Sequence, residues 1–292
     1  MRVLLTGAGG QLAVDLVEAF ADTVLTAVPR TELDVTDEAA VSTVVRAVAP
    51  DVVLNTAGLT DVDACEHDPE AAHAVHALGP WWLATACRDV GARLVTFSTD
   101  HVFGGAVPAG AADTGYGEAD APAPVNRYGR SKAAGEALVR ETLAAHHLVR
   151  TSWFMGVHGS GFATAILAQA AAGTPLDVVD DQVGSPTSTR DLAQAVRRLV
   201  AARRFGTIHL ANSGSCSRFA LAEALLEDGG HDTPVRAVPT SAAPGGARRP
   251  AFSPLDTTHA ASLGLGLPPW REAVARFVDD LVDTGRHTRG RA

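Results

Sequence analysis

Lysine is nearly missing from this chain. Lys132 is the only one, and every other basic side chain among the 24 Lys and Arg residues is arginine. Tyrosine and methionine occur twice each, and cysteine three times, at Cys65, Cys87 and Cys216. An odd cysteine count with no Cys-x-x-Cys pair argues against a disulfide framework and for reduced thiols in a cytoplasmic protein. No apolar run is long enough to cross a bilayer, and "MRVLLTGAGG" turns to glycine too soon for a secretory signal, so no membrane partner is expected. Positive charge is also scarce. The formal charge is −9, which leaves small arginine clusters at 201–205, 247–250 and 286–292 but no broad nucleic-acid surface. The eleven histidines lack His-Glu-x-x-His or a comparable ligand spacing, and no metal is expected. The pair His146–His147 reads as a surface pair at a helix end.

What is present is an alternation of strands and helices. The 292 residues and 46% hydrophobic content allow one large core or two domains. Strands are predicted at 3–5, 23–28, 51–57, 92–100 and 148–154. Helices are predicted at 12–20, at 36–50 with Thr36 as its cap, at 68–91 as one long helix, and at 131–147. The apolar residues of these strands run contiguously, as in a parallel sheet covered on both faces. The second half is less regular, with helices at 161–173, 190–202, 219–230 and 268–285 and an irregular loop at 240–254. The expected fold is α/β: a doubly wound parallel Rossmann sheet in residues 1–155, completed by later segments, with a smaller C-terminal substrate-binding lobe in 156–285 and a flexible tail at 286–292.

Two motifs carry chemistry. In "TGAGGQLA" (6–13), Gly7, Gly10 and Ala13 follow a strand and precede a helix. Gly7 permits the tight turn, Gly10 lets backbone approach a pyrophosphate, and Ala13 allows close helix packing. Arg30 is the first charge after the second strand. It suits a 2′-phosphate and leans the cofactor towards NADPH, with NADH the alternative, while an exposed solvated arginine explains it nearly as well. Asp34 comes too late for the ribose acid but can lie beside adenine. The second motif is Tyr128-x-x-x-Lys132. Residues i and i+4 share a helix face, so the ammonium can lower the phenol's pKa and bond ribose hydroxyls. At the end of a strand, "FSTD" (97–100) offers Ser98 or Thr99 to a substrate carbonyl.

Together these motifs resemble the extended short-chain dehydrogenase/reductases, and within them the dTDP-4-dehydrorhamnose reductase branch. The resemblance includes "DVVLNTAGLTDVDACEHDPE" (51–70), "FSTDHVFGG" (97–105), "VRTSWFMGVHGSGF" (149–162), "VVDDQVGSPT" (178–187) and "RRPAFSPLDT" (248–257). It implies Thr99, Tyr128 and Lys132 as the catalytic set. It also implies that Gly7, Gly10, Gln11 and Leu12 hold the pyrophosphate, with Asp34 and Val35 near adenine and Ala57 and Gly58 beside the cofactor. Thr60, Val62, Asp100, His101 and Trp153 would line the sugar pocket, and Arg249 would approach the nucleotide diphosphate. The sequence departs from the branch at Leu59, His76, His101 and Met155, the last two beside the expected sugar pocket. The implied activity is reduction of a dTDP-4-keto-6-deoxysugar, with a homodimer as the default assembly. A 4-epimerase or 4,6-dehydratase of the same extended family is the runner-up. The missing Glu after Thr99-Asp100 counts against the dehydratase. A non-catalytic regulatory subunit, like that of methionine adenosyltransferase, stands outside the enzymes.

Overall fold

The computed structural model describes residues 1–108, 110, 114–242 and 246–290. Its main sheet has six strands: β1 (Arg2–Thr6), β2 (Val24–Val28), β3 (Val52–Asn55), β4 (Arg93–Thr99), β5 (His146–Thr151) and β6 (Gly206–His209). They lie in the order β6-β5-β4-β3-β1-β2, and every pairing is parallel. The larger helices of the first half are α1 (Gln11–Ala19), α2 (Glu38–Val48), α3 (Val62–His67), α4 (Pro69–His73), α5 (Gly79–Val90) and α6 (Arg127–Thr142). The second half adds α7 (Phe162–Ala171), α8 (Thr189–Ala202), α9 (Arg218–Gly229), α10 (Thr258–Ser262) and α11 (Trp270–Asp283).

Alternating side chains along each strand reach opposite faces. Val3 and Leu5 pack with Leu16 of α1 and Val196 of α8, whereas Leu4 packs with Val45 of α2 and Leu83 of α5. A separate core joins α7, α9 and α11 through Leu167, Leu225 and Phe277. β1 lies between β2 and β3, so the chain winds away from it in both directions. The C-terminal ends of β1 and β3 therefore bound a crevice of the kind that takes ligands in open α/β sheets. Residues 286–290 lie back on the lobe, with Arg286 donating to the Val157 carbonyl and the Gly290 amide to that of Gly229. Parts of two predicted stretches, 243–245 of the loop and 291–292 of the tail, fall outside the described residues.

Several local expectations are corrected. The cap of α2 is Asp37, which accepts from the Ala40 amide, not Thr36. The expected helix 131–147 starts at Arg127, capped by Asn126, and stops at Thr142. His146 and His147 are buried inside β5, paired between β4 and β6, and are no surface pair. Pairing on both edges overrode the helical pattern there. The expected long helix 68–91 is broken by a π-helical turn at Ala74–Leu78. Pro80 has no amide to return to the His76 carbonyl, which frees that carbonyl and allows the wider turn. The freed carbonyl lies so close to Gly135 of α6 that any side chain there would overlap it.

Candidate active site

The crevice opens into a cavity of about 680 Å³. Its floor is the glycine turn. Gly7 has φ +76°, and a Cβ on it would lie 2.6 Å from the Ala57 nitrogen, so only glycine lets the β1 loop lie against the β3 loop. Gly10 is the N-cap of α1 and supplies no side-chain cap. The first-turn amides of α1 are thus left for a ligand, the arrangement that binds pyrophosphate. The Gln11 side chain is committed to the Gly156 carbonyl at 2.8 Å, so its contribution to a ligand is its backbone. Gly7, Gly10, Gln11 and Leu12 all line the cavity. Ala13, 1% exposed, packs into the sheet core.

Arg30, Asp34, Val35, Ala57 and Gly58 also line it. Asp34 accepts the Thr36 amide and hydroxyl at 3.0 and 2.8 Å. These bonds, Thr36 first, hold its carboxyl below the usual range. Arg30 reaches Asp34 at 3.5 Å with most of its side chain in solvent. This edge, with its amide cradle beside Arg30 and Asp34, has the groups to hold an adenine dinucleotide.

The other end is built by β4 and α6. Ser98 donates to Glu136 at 2.6 Å and is thereby occupied. Thr99 donates to Asp100 Oδ1 at 3.1 Å and lines the cavity together with Tyr128. The second Asp100 oxygen accepts from Ser253 at 2.6 Å. Tyr128 lies between two imidazoles, with ring centroids 5.3 Å from His76 and 5.4 Å from His101, both edge-on. Lys132 Nζ donates to the Phe97 carbonyl at 3.1 Å. Burial lowers its pKa to about 8. The Tyr128 pKa moves opposite to the sequence expectation. Burial pushes it above its ordinary value, and the neighbouring Thr99 hydroxyl only partly opposes this. At neutral pH Tyr128 is therefore a phenol, a proton donor in waiting.

Thr60, Val62, Asp100, His101 and Trp153 line the cavity. Trp153 sits at φ +45°, a conformation costly for a large residue, and its ring lies against the bare backbone of Gly184. Arg249 stands near His101 and Arg218, and its charge acts on both. It forks onto Asp63 at 2.9 and 3.0 Å, chiefly accounting for an Asp63 pKa of about 2, and is not among the cavity's lining residues. Met155 also misses the cavity and packs in the lobe core, 2% exposed.

The family model of the RmlD substrate binding domain matches residues 1–282. The chain belongs to that family. It is 43% identical over 289 residues to a dTDP-4-dehydrorhamnose reductase of Mycolicibacterium smegmatis, covering 96% of this chain and 86% of that protein. It is 36% identical to the spore coat polysaccharide biosynthesis protein SpsK of Bacillus subtilis, covering 96% and 97%. Among solved structures, a Bacillus anthracis dTDP-4-dehydrorhamnose reductase in complex with NADP superposes with a TM-score of 0.91 at 35% identity, over 96% of this chain and 99% of that one. The protein is accordingly an NAD(P)H-dependent oxidoreductase of the reductase type.

Within this family fold, sequence reasoning missed three features beside the site. His76 accepts the Leu59 amide on Nε2 at 2.9 Å and bonds Ser131 through Nδ1 at 2.9 Å, joining the β3 loop to α6. Burial, then the Lys132 charge, lowers its pKa to about 2, so it is neutral. Arg150 and Glu136 form a buried pair directly behind Ser98. The signal for it was an arginine inside an otherwise apolar strand, which needs a buried partner. Arg218 lines the cavity from α9 and had no sequence signal beyond its charge.

Proposed function

We propose that the protein reduces the C4 carbonyl of a dTDP-4-keto-6-deoxysugar, the reaction its relatives' name describes, with Tyr128 as proton donor. The observation that carries this reading is a Tyr128 phenol kept protonated by burial, with Thr99 and an ammonium one helical turn away lining the same cavity. Bound NADPH supplies the hydride. Tyr128 transfers its proton to the oxygen that becomes the C4 hydroxyl, and the Thr99 hydroxyl bonds that oxygen as charge grows on it. Lys132, with donors to spare beyond Phe97, holds the nicotinamide ribose and stabilises the tyrosinate left behind. His101 and Trp153 border the sugar. Arg30 favours NADPH over NADH. Three free, buried thiols suit the reducing cytoplasm, and a homodimer is the simplest assembly.

The test is oxidation of NADPH and NADH with dTDP-4-keto-6-deoxyglucose and its 3,5-epimer. Turnover in the wild type that collapses in Lys132→Arg supports both the substrate and the need for a compact ammonium. NADPH binding without turnover on either sugar would refute the assignment. Purified protein that retains tightly bound NAD and returns its hydride would shift it to an epimerase.

A further inference from the structure

Three cations line the cavity, and they are not equivalent. Arg30 pairs with Asp34, and Lys132 donates to the Phe97 carbonyl. The guanidinium of Arg218 makes no ion pair and no hydrogen bond among the described residues. It is held by two aromatic faces instead, with its Cζ 3.6 Å from the Trp153 ring centroid and 4.9 Å from that of Phe162. Such a sandwich fixes the plane of the group and leaves its N–H edges free.

Among the described residues no carboxylate forms an ion pair with it. The Asp100 carboxylate, whose charge supports the Arg218 cation against burial, has its two oxygens bonded by Thr99 and Ser253. Arg218 is also the first residue of α9, where the helix dipole adds positive potential. Burial weakens it as an acid-base group only to a pKa of about 10, so it remains a cation. An oriented guanidinium with no ion pair among the described residues, in a chain of charge −9, lowers its free energy by meeting an anion. The planar fork matches phosphate oxygens two at a time. Arg249, the residue expected for this role, is already consumed by Asp63.

We propose that Arg218 is the anion-binding residue for the diphosphate of the nucleotide-sugar substrate. Trp153, strained and stacked on it, acts as its platform. The inference rests on the nucleotide-sugar reading above, and its test separates the two.

The probes are dTDP and thymidine, titrated into NADPH-saturated protein. Wild type should bind dTDP far more tightly than thymidine. Arg218→Gln should weaken dTDP by roughly 10- to 100-fold, the worth of a charge-assisted hydrogen bond, with thymidine and NADPH affinities unchanged. Unchanged NADPH affinity also certifies the fold. Arg218→Lys, which keeps the charge and loses the fork, should fall between. Equal weakening of dTDP and thymidine would make Arg218 a packing or base-stacking residue and overturn the proposal, as would an unchanged dTDP affinity. If wild type binds NADPH but neither probe, the nucleotide-sugar reading fails, and this inference falls with it.

Discussion

Tyr128, Lys132 and Glu136 follow one another at four-residue steps along one face of α6, yet the two ends of that face have opposite characters. At the Glu136 end every charge is met. Glu136 accepts from Ser98, Arg140 and the Nε and Nη2 of Arg150, with the Glu136 and Arg150 side chains 1% and 2% exposed. At the Tyr128 end the ammonium bonds only a carbonyl among the described residues, and both it and the phenol line the cavity. Burial is unfavourable for ions at both ends. Arg150 offsets it for Glu136, whose carboxyl is held below its usual range against the upward push of burial. For Lys132 no carboxylate is in contact among the described residues, the Glu136 charge one turn away opposes burial only in part, and its pKa falls. The satisfied end can only hold the sheet to the helix. The unsatisfied end has bonding capacity left for a ligand.

This contrast can be broken at either end. The largest effect belongs to Tyr128→Phe, which should cut NADPH oxidation by about 10²- to 10⁴-fold while leaving the urea midpoint unmoved. A comparable loss of stability would mean that the phenol is structural. Glu136→Ala should do the reverse. It strands Arg150 without its carboxylate and should cost about 3–5 kcal/mol in urea unfolding. Pairing it with Arg150→Met should return much of that, since the penalty lies in the uncompensated charge.

A smaller effect tests the ammonium. With a Lys132 pKa of about 8 in the free enzyme, kcat/KM should decline above that pH, by about tenfold per pH unit. A flat profile to pH 10 would show that a neutral amine serves equally well.

The smallest effect is on stability at the sealed end. Arg150 bonds His209 Nε2 at 3.4 Å, and burial, then the Arg150 charge, lowers the His209 pKa to about 3. Between that value and the unfolded one near ~6.5, the unfolded chain takes up a proton that the fold refuses. Stability is therefore complete above the unfolded value and falls as pH drops through this window. His209→Gln should flatten the decline by about 1 kcal/mol per pH unit between pH 6 and 4, read from urea midpoints. An unaltered slope would show that His209 already titrates in the fold.

Much of this was legible without coordinates. The glycine turn announced itself because only glycine tolerates the required turn and close approach, and both requirements are local. Tyr128 and Lys132 could be set on one helix face because helical spacing is local too. The boundaries of α6 could not, since the strand pairing that claims His146 and His147 spans distant segments. The same holds for the break at His76, which depends on Gly135 as well as Pro80. Ser98 and Thr99 were indistinguishable as residue types, and only Glu136 on another element separates their roles.

By itself, then, the sequence determined the alternating α/β architecture, the dinucleotide turn and the Tyr-Lys pair, because backbone sterics and helical periodicity act over a few residues. Tertiary structure alone decided the direction of the Tyr128 pKa, the exclusion of Met155 from the cavity, and which arginine is free. Those outcomes depend on desolvation and on charge partners brought together from distant parts of the chain. Arg249 and Arg218 look alike in the sequence, and only the fold gives one of them Asp63 and the other a pair of aromatic faces.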